Sequence, residues 1–199
     1  RPPRSTLFPY TTLFRSRIEE YLTKLKNTID RLDRTEINNF INLLLKARDE
    51  DRTIFIMGNG GSAATASHYC CDFNKGASYG CDKRFKFICL NDNTATMMAY
   101  ANDVSYTDAM VEQLKNFFKP GDYVIGISGS GNSQNVVKAI EYANQNGGTT
   151  IGLTGYQGGK LKQICTHSVN MRVDDMQISE DLHMMMDHLS MRVITGKTY

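Results

Sequence analysis

The amino-acid sequence predicts an α/β fold, in which a doubly wound, mostly parallel sheet carries helices on both faces and follows N-terminal helices. Short apolar runs bounded by turn residues recur along the chain, and such runs are typical of strands that are buried on both faces. Helical patterns separate these runs, as they do in βαβ units. Two of the predicted strands lead through glycine- and serine-rich loops into helices. We therefore expect a ligand crevice at the carboxyl ends of the strands.

Residues 1–16 stand apart from this pattern. The stretch RPPRSTLFPYTTLFRS has no helical or strand period, and a clear helical pattern begins only at Ile18. It resembles translated adapter sequence, and it lacks the continuous apolar core and cleavage site of a secretory signal. We therefore predict a non-native segment at 1–16 and, at 17–199, a single domain that begins with a helical pair.

The predicted helical pair covers residues 18–32 and 35–48. Leu22, Leu25 and Ile29 share a face of the first helix, and Phe40 and Leu44 lie on a face of the second. Strands follow wherever the apolar residues become continuous. These predicted strands span residues 53–57, 85–90, 122–127, 149–153 and 168–173.

Helical periodicity and stop signals define the remaining elements. Lys119-Pro-Gly ends one helix, because proline cannot continue it, and Gly147-Gly148 ends another. The predicted helices span residues 62–74, 94–101, 107–118, 133 to about 146, and 178–194.

The two glycine-serine loops predict a phosphorylated ligand. Gly58–Ser62 follows one buried strand and Ser128–Ser133 follows another. A glycine turn that enters a helix leaves backbone N–H groups unpaired at the positive end of the helix dipole, where they bind phosphate. Serine hydroxyls add further donors in both loops. One such loop is weak evidence, but two on strand-helix units favour a phosphate group.

Composition and charge exclude several other partners. The chain carries 23 basic and 21 acidic residues, but three arginines and no acid lie within 1–16, and the remainder has a net charge of −1. No run approaches the ~20 apolar residues of a membrane span. The five cysteines are odd in number and form no C-x-x-C pair. We therefore expect reduced thiols, a cytoplasmic protein, and neither a nucleic-acid nor a membrane partner.

Taken in order over residues 18–194, these motifs resemble the sugar isomerase (SIS) domain family. The motifs that carry the resemblance are the loop Gly58–Ala63, His68 with an acid four residues later, Asn102-Asp103, Ile127–Ser133, Gly152–Gly155 with Gly158–Lys160, and a last helix with histidines. The resemblance implies a flavodoxin-like SIS domain and a homotetramer with active sites at subunit interfaces. It also implies aldose-ketose isomerisation of a heptose phosphate, sedoheptulose 7-phosphate to a glycero-manno-heptose 7-phosphate, or of a related sugar phosphate.

Such an isomerisation needs a base that moves a proton between C1 and C2 and a proton donor, or a metal ion, at the carbonyl oxygen. The resemblance places the base at Asp72 and the acid at His188, on the far side of a subunit interface. It also implies a Zn²⁺ site and no nucleotide cofactor. The implied zinc ligands are His68, Asp72, Glu180 and His188. The implied substrate-binding residues are Asn59, Gly60, Ser62, Asn102, Asp103, Ser128, Gly129, Ser130 and Ser133.

Three of these implied site positions depart from the family pattern. Asp72 stands where relatives have glutamate, Glu180 where they have glutamine, and Gly129 where they have threonine. Two histidines and two carboxylates should hold a first-row divalent ion more firmly than a set with a neutral amide. However, eight residues separate Glu180 from His188, or about 12 Å along a continuous helix. Either they come from different subunits, Glu180 precedes the helix, or one of them is not a ligand.

Two other functions fit parts of the pattern. A non-catalytic SIS module would bind a phosphosugar or a protein partner as a tetramer. A dinucleotide-binding fold would use Gly58-x-Gly60-x-x-Ala63, but no acidic residue follows near the required twentieth position. In the last helix, His183 and Asp187 stand four residues apart, a spacing that favours a simple ion pair.

Overall fold

The computed structural model describes residues 10–196, which form five strands and eight α-helices. The helices are α1 (Tyr10–Arg31), α2 (Arg34–Asp49), α3 (Gly61–Cys71), α4 (Thr94–Asp103), α5 (Ala109–Phe117), α6 (Gln134–Gln145), α7 (Gly159–Ile164) and α8 (Met176–Thr195). The strands are β1 (Thr53–Met57), β2 (Lys86–Cys89), β3 (Tyr123–Ser128), β4 (Thr149–Thr154) and β5 (His167–Asn170). A π-helical turn, Asp72–Gly76, continues α3.

All five strands are parallel and follow the order β2-β1-β3-β4-β5. This confirms the predicted doubly wound α/β fold, and the order is that of flavodoxin-like sheets. The central strand β3 is buried along its whole length, as expected for a strand covered on both faces. In this topology the chain changes direction between β1 and β3, where a ligand crevice opens at the carboxyl edge.

Helices cover the two faces of the sheet in separate layers. Helices α2, α3 and α8 contact one another in one layer, and α4 to α7 form a contiguous series in the other. Alternate residues of a strand point to opposite faces, so Phe55 and Met57 face the second layer, where they join a buried cluster with Leu114 and Ile140.

The division of the chain into units falls between the first two helices. One compact unit ends at Leu32 and contains α1, and the other begins at Asp33 and contains α2 and the sheet. Asp33 caps the second unit's first helix, because its carboxylate accepts hydrogen bonds from the backbone N–H groups of Thr35 and Glu36. Among residues 10–196, no helix combines the length and the apolar character that crossing a membrane requires.

Two predicted boundaries are wrong, and one helix is missing from the prediction. Helix α1 begins at Tyr10, inside the segment that the sequence excluded, since extending an existing helix costs little once it has nucleated. Residues 1–9 of that segment lie outside the described part of the chain. Helix α7 was not predicted, because it is short and begins with glycine. Strand β5 ends at Asn170 rather than at 173, since Arg172 adopts a positive φ of 51° that a strand cannot contain.

A stripe of polar side chains runs along the buried face of α8. Ser179, His183, Asp187 and Ser190 recur every three or four residues, and all four are fully buried. Neither ring nitrogen of His183 and neither carboxylate oxygen of Asp187 has a hydrogen-bond partner. The predicted His183–Asp187 ion pair therefore does not form. Burial lowers the pKa of His183 from 6.5 to about 4, although the nearby backbone of Thr154 opposes this shift, so the ring is neutral at physiological pH.

The buried His183 should make a destabilising contribution to the fold in acid. Between pH 6.5 and about 4 an unfolded chain protonates this ring while the folded chain does not, so the free energy of unfolding falls as the pH falls. The loss over this window is about 3 kcal/mol. In EDTA, His183→Gln should lack this component when urea unfolding is compared at pH 7 and pH 4.5. The matched control His167→Gln, at an exposed histidine, should retain it, and equal pH dependence in both variants would contradict the assignment.

Candidate functional site

The two glycine-serine loops meet at the carboxyl edge of the sheet. Their strands β1 and β3 are direct neighbours, with Met57 paired to Gly126, so the loops that follow them lie side by side. Together they form a cavity of about 240 Å³. The cavity is lined by Asn59, Ser62, Ile127, Ser128, Gly129, Ser130, Ser133, Met176 and Glu180. Six of the predicted substrate-binding residues are in this lining.

Amide side chains hold the first loop in place. The side chain of Asn91 accepts a hydrogen bond from the Gly58 N–H and donates one to the Gly58 carbonyl, at 3.1 and 2.9 Å. Asn59 and Asn135 exchange two further hydrogen bonds, which tie this loop to the start of α6. Gly60 precedes α3 with a φ of +53°, and it offers no side chain to cap the helix. The first backbone N–H groups of α3 therefore remain available to an anion.

The second loop concentrates hydroxyl groups around another helix N-terminus. The Ser128 hydroxyl lies 3.0 Å from that of Ser133 and 3.5 Å from that of Ser130, and it accepts a hydrogen bond from the Gly131 N–H. Ser133 occupies the N-cap of α6, but its side chain makes no capping hydrogen bond. The loop thus combines hydroxyl donors with an uncapped helix terminus, as phosphate binding requires.

Close packing between glycines fixes the position of the second loop. Gly131 has a φ of +68°, and a Cβ atom there would lie 2.0 Å from the Gly158 carbonyl oxygen. The chain after β4 holds the loop through hydrogen bonds to the Gly129 and Gly131 carbonyls. At Gly129 the sulfur of Met176 fills the space that a side chain would occupy. Met176 of α8 therefore packs where the threonine expected from the family resemblance would place its side chain.

Helices α3 and α8 pack in parallel along a line that we call the α3–α8 seam. Gly61 at the start of α3 faces Glu180, and Gly76 after α3 faces Met191. A Cβ atom at either glycine would lie less than 3 Å from these side chains, so the absence of one permits the close approach. The seam runs from the cavity toward the carboxyl end of α8.

Four side chains converge farther along this seam. They are His68, Asp72, Asp187 and His188, and one potential ligand atom from each lies within 4.8 Å of all the others. The Nε2 atoms of the two histidines are 3.0 Å apart, and His68 Nε2 lies 3.7 Å from Asp72 and 3.9 Å from Asp187. Two nitrogens bound at ~2.0 Å by one tetrahedral ion would be about 3.3 Å apart. The cluster therefore has a donor set and a size that fit a divalent ion.

The electrostatics of this cluster favour a cation. Burial, together with the nearby Asp72 carboxylate, raises the pKa of Asp187 from 3.8 to about 8. At neutral pH the Asp187 carboxyl therefore retains a proton in the metal-free protein unless positive charge arrives. A metal ion bound by the two carboxyl groups and the two imidazoles would supply that positive charge.

Within the described single chain, the four predicted metal ligands do not all meet. Glu180 lies within α8 and lines the cavity, so the chain does not bring it to His188, and Asp187 stands in the cluster instead. The eight-residue separation along a continuous helix is the physical reason. His188 also reaches Asp72 within one chain, so no subunit interface is needed to join them.

The remaining predicted residues do not line the cavity. Asn102 and Asp103 are exposed at the end of α4, where Asn102 donates a 2.7 Å hydrogen bond to Asp103. Their role in sugar binding stays a prediction. Tyr106 in the following turn donates a hydrogen bond to Asn59 and so extends toward the cavity.

Sequence reasoning missed several residues of the site. No sequence pattern indicated Asn91 or Asn135. Their roles depend on hydrogen bonds to the first loop, which is distant in the sequence: Asn91 binds the Gly58 backbone and Asn135 binds the Asn59 side chain. Asp187 was visible beside His188, but its spacing suggested a partner for His183. The available signal was that Asp187 lies next to the predicted ligand His188 and on the buried face of the helix.

Comparison with known proteins agrees with this architecture. Residues 19–155 match the SIS domain family. The chain is 31% identical to a phosphoheptose isomerase of Clostridium acetobutylicum, over 82% of this chain and 83% of that protein. It is 32% identical to one of Helicobacter pylori (strain P12), over 83% and 85%. A phosphoheptose isomerase structure from Neisseria gonorrhoeae superposes with a TM-score of 0.84, over 92% of this chain and 100% of the other, at 23% identity. The chain therefore belongs to the SIS domain family, within which it is similar to phosphoheptose isomerases.

Proposed function

We propose that this protein is an aldose-ketose isomerase that converts sedoheptulose 7-phosphate to a glycero-manno-heptose 7-phosphate. The observation that carries this proposal is the pairing of an anion-binding cavity with a carboxylate-imidazole cluster on the same two helices. The first feature suits the phosphate of a ligand and the second suits proton transfer. Curated relatives that share about a third of the sequence are phosphoheptose isomerases.

The spacing of the two features supports a sugar with several carbon atoms. Ser62 lines the cavity and His68 belongs to the cluster, and both lie on α3. Six residues along a helix correspond to about 9 Å. An open-chain sugar with its phosphate at the cavity would therefore extend its reacting carbons toward the cluster.

Asp72 and His188 divide the proton transfers between them in this proposal. The Asp72 side chain is 19% exposed, so it can reach a substrate, and its carboxylate would move a proton between C1 and C2. His188 is exposed and, in the metal-free protein, would exchange a proton with the carbonyl oxygen; when it holds an ion, the ion would polarise that oxygen instead. The phosphate loops would hold the other end of the sugar, so the reacting carbons stay in position during both transfers.

We also propose that a divalent ion such as Zn²⁺ occupies the cluster, held by His68, His188 and carboxylate. When bound, such an ion would polarise the carbonyl and hydroxyl oxygens of the substrate. The donor set supports this proposal, since imidazole and carboxylate groups are ordinary zinc ligands.

Assembly and location complete the proposal. We propose a homotetramer that acts in the cytoplasm. The family resemblance supports self-assembly, and so do the exposed apolar side chains of α1, Phe14, Ile18 and Leu22, which repeat every four residues. All five cysteines are free, which is consistent with a reducing compartment.

The phosphate loops can be tested by binding. Ser130→Ala and Ser128→Ala should each weaken binding of sedoheptulose 7-phosphate by about 1–3 kcal/mol, because each removes a hydrogen bond to a charged group. Isothermal titration calorimetry measures this loss. Ser168→Ala, in β5 and outside the cavity lining, serves as the matched control and should bind as the parent protein does. Unchanged affinity in both loop variants would refute the phosphate site.

The catalytic carboxylate can be tested by turnover. Asp72→Asn should retain the fold and substrate binding but lower kcat by ~10²-fold or more, the usual cost of losing a general base. NMR of the reaction mixture follows the conversion directly. Asp72→Glu restores the carboxylate length of the family. If only this variant turned over sedoheptulose 7-phosphate, the native protein would be a phosphosugar-binding module or would act on a different sugar.

Mixed oligomers test whether one chain supplies both catalytic groups. Asp72→Ala and His188→Ala chains, co-expressed with different tags and purified through both, should be as inactive as each variant alone. The reason is that every site then lacks one of the two groups that the single chain brings together. Recovered activity would instead place the two residues of a working site on different chains, and light scattering of the same samples would report the oligomeric state.

A further inference from the structure

The two carboxylates of the cluster have different surroundings. The Asp72 side chain is 19% exposed, whereas that of Asp187 is 0% exposed. A base must reach its substrate, but a metal ligand needs only to reach the ion. The difference in exposure therefore separates two roles that the sequence could not distinguish.

Asp187 lacks the partners that a buried carboxylate normally has. Neither of its oxygens accepts a hydrogen bond within the described part of the chain. The buried hydroxyls of Tyr69 and Ser190 also make no hydrogen bond, so neither satisfies Asp187. Burying such a group without compensation is strongly unfavourable. A cation at the cluster would supply the missing partner.

The geometry directs Asp187 toward the two histidines. Its Oδ2 atom lies 3.9 Å from His68 Nε2, and its neighbour in sequence, His188, lies 3.0 Å from the same nitrogen. Glu180 stands seven residues earlier on α8, or about 10 Å along the helix, and faces the cavity. The single chain therefore offers Asp187, and not Glu180, to an ion held between the histidines.

We propose that Asp187, His68 and His188 are the protein ligands of a divalent ion, and that Asp72 remains free to act as the base. This inference rests on the proposed function, because it assigns roles within the same site. Three protein ligands leave a coordination position open, as in catalytic zinc sites. A set of four would close the site and occupy the base.

Metal binding tests this division without reference to activity. The protein is freed of metal with EDTA and titrated with Zn²⁺ in a calorimeter. Asp187→Asn should lose ~100-fold or more in affinity, since loss of a mere hydrogen-bond partner of a ligand already costs about 10–100-fold. Asp72→Asn and Glu180→Gln should remain within a few-fold of the parent protein. Asp181→Asn, an exposed aspartate on the same helix, is the matched control.

A cysteine variant gives a positive signal from position 187. Asp187→Cys should restore tight binding, because thiolate is a strong zinc ligand. When loaded with Co²⁺, this variant should show a thiolate-to-cobalt charge-transfer band in the near ultraviolet that the parent protein lacks. Circular dichroism in EDTA verifies the fold of each variant. If Asp187→Asn does not fold, the cysteine variant still decides whether side chain 187 touches the ion.

Three results with the variants, and one with the parent protein, would overturn the proposal. The first is wild-type Zn²⁺ affinity in Asp187→Asn, and the second is the absence of the cobalt band in a folded Asp187→Cys protein. The third is a loss in Asp72→Asn as large as that in Asp187→Asn, which would indicate a closed set of four ligands. If the metal-free parent protein binds no Zn²⁺ but isomerises the sugar phosphate, this assignment fails while the proposed function stands.

Discussion

The parallel pairing of β1 with β3 is the constraint on which the site depends. The pairing brings the ends of both strands to one edge of the sheet. The chain then leaves in opposite directions, since α3 packs on one face and α6 on the other. This divergence opens a cavity between two uncapped helix N-termini, where backbone N–H groups and serine hydroxyls can meet an anion. A different strand order would have separated the two loops.

The α3–α8 seam connects the cavity to the cluster of histidine and aspartate side chains. Glycines at 61 and 76 let α8 approach α3 closely, and the parallel alignment sets Asp187 and His188 beside His68. Because α3 begins at the first glycine-serine loop, distance along this helix would also be distance along the extended ligand that we propose. The packing of these two helices thus determines both which side chains meet in the cluster and how far they lie from the cavity.

The buried polar stripe on α8 lowers the stability of the fold. His183 and Asp187 are buried without hydrogen-bond partners, whereas most buried polar groups in proteins have them. Residues that violate the usual rules of burial often mark functional sites, because the stability lost there is recovered by a ligand or elsewhere in the fold. Asp187 fits this view through its position in the cluster. Its shifted pKa reflects burial first and the Asp72 carboxylate second.

The sequence by itself determined the fold class, the five strands and the two glycine-serine loops, because these features follow from local patterns of apolar and turn residues. It also pointed to His68, Asp72 and His188. Only the tertiary structure decided that Asp187 joins them and that Glu180 lines the cavity instead. The physical reason is that ligand sets depend on which helix faces meet, and two residues seven apart on α8 lie about 10 Å from each other. The exposure that separates Asp72 from Asp187 likewise arises only when α3 and α8 pack.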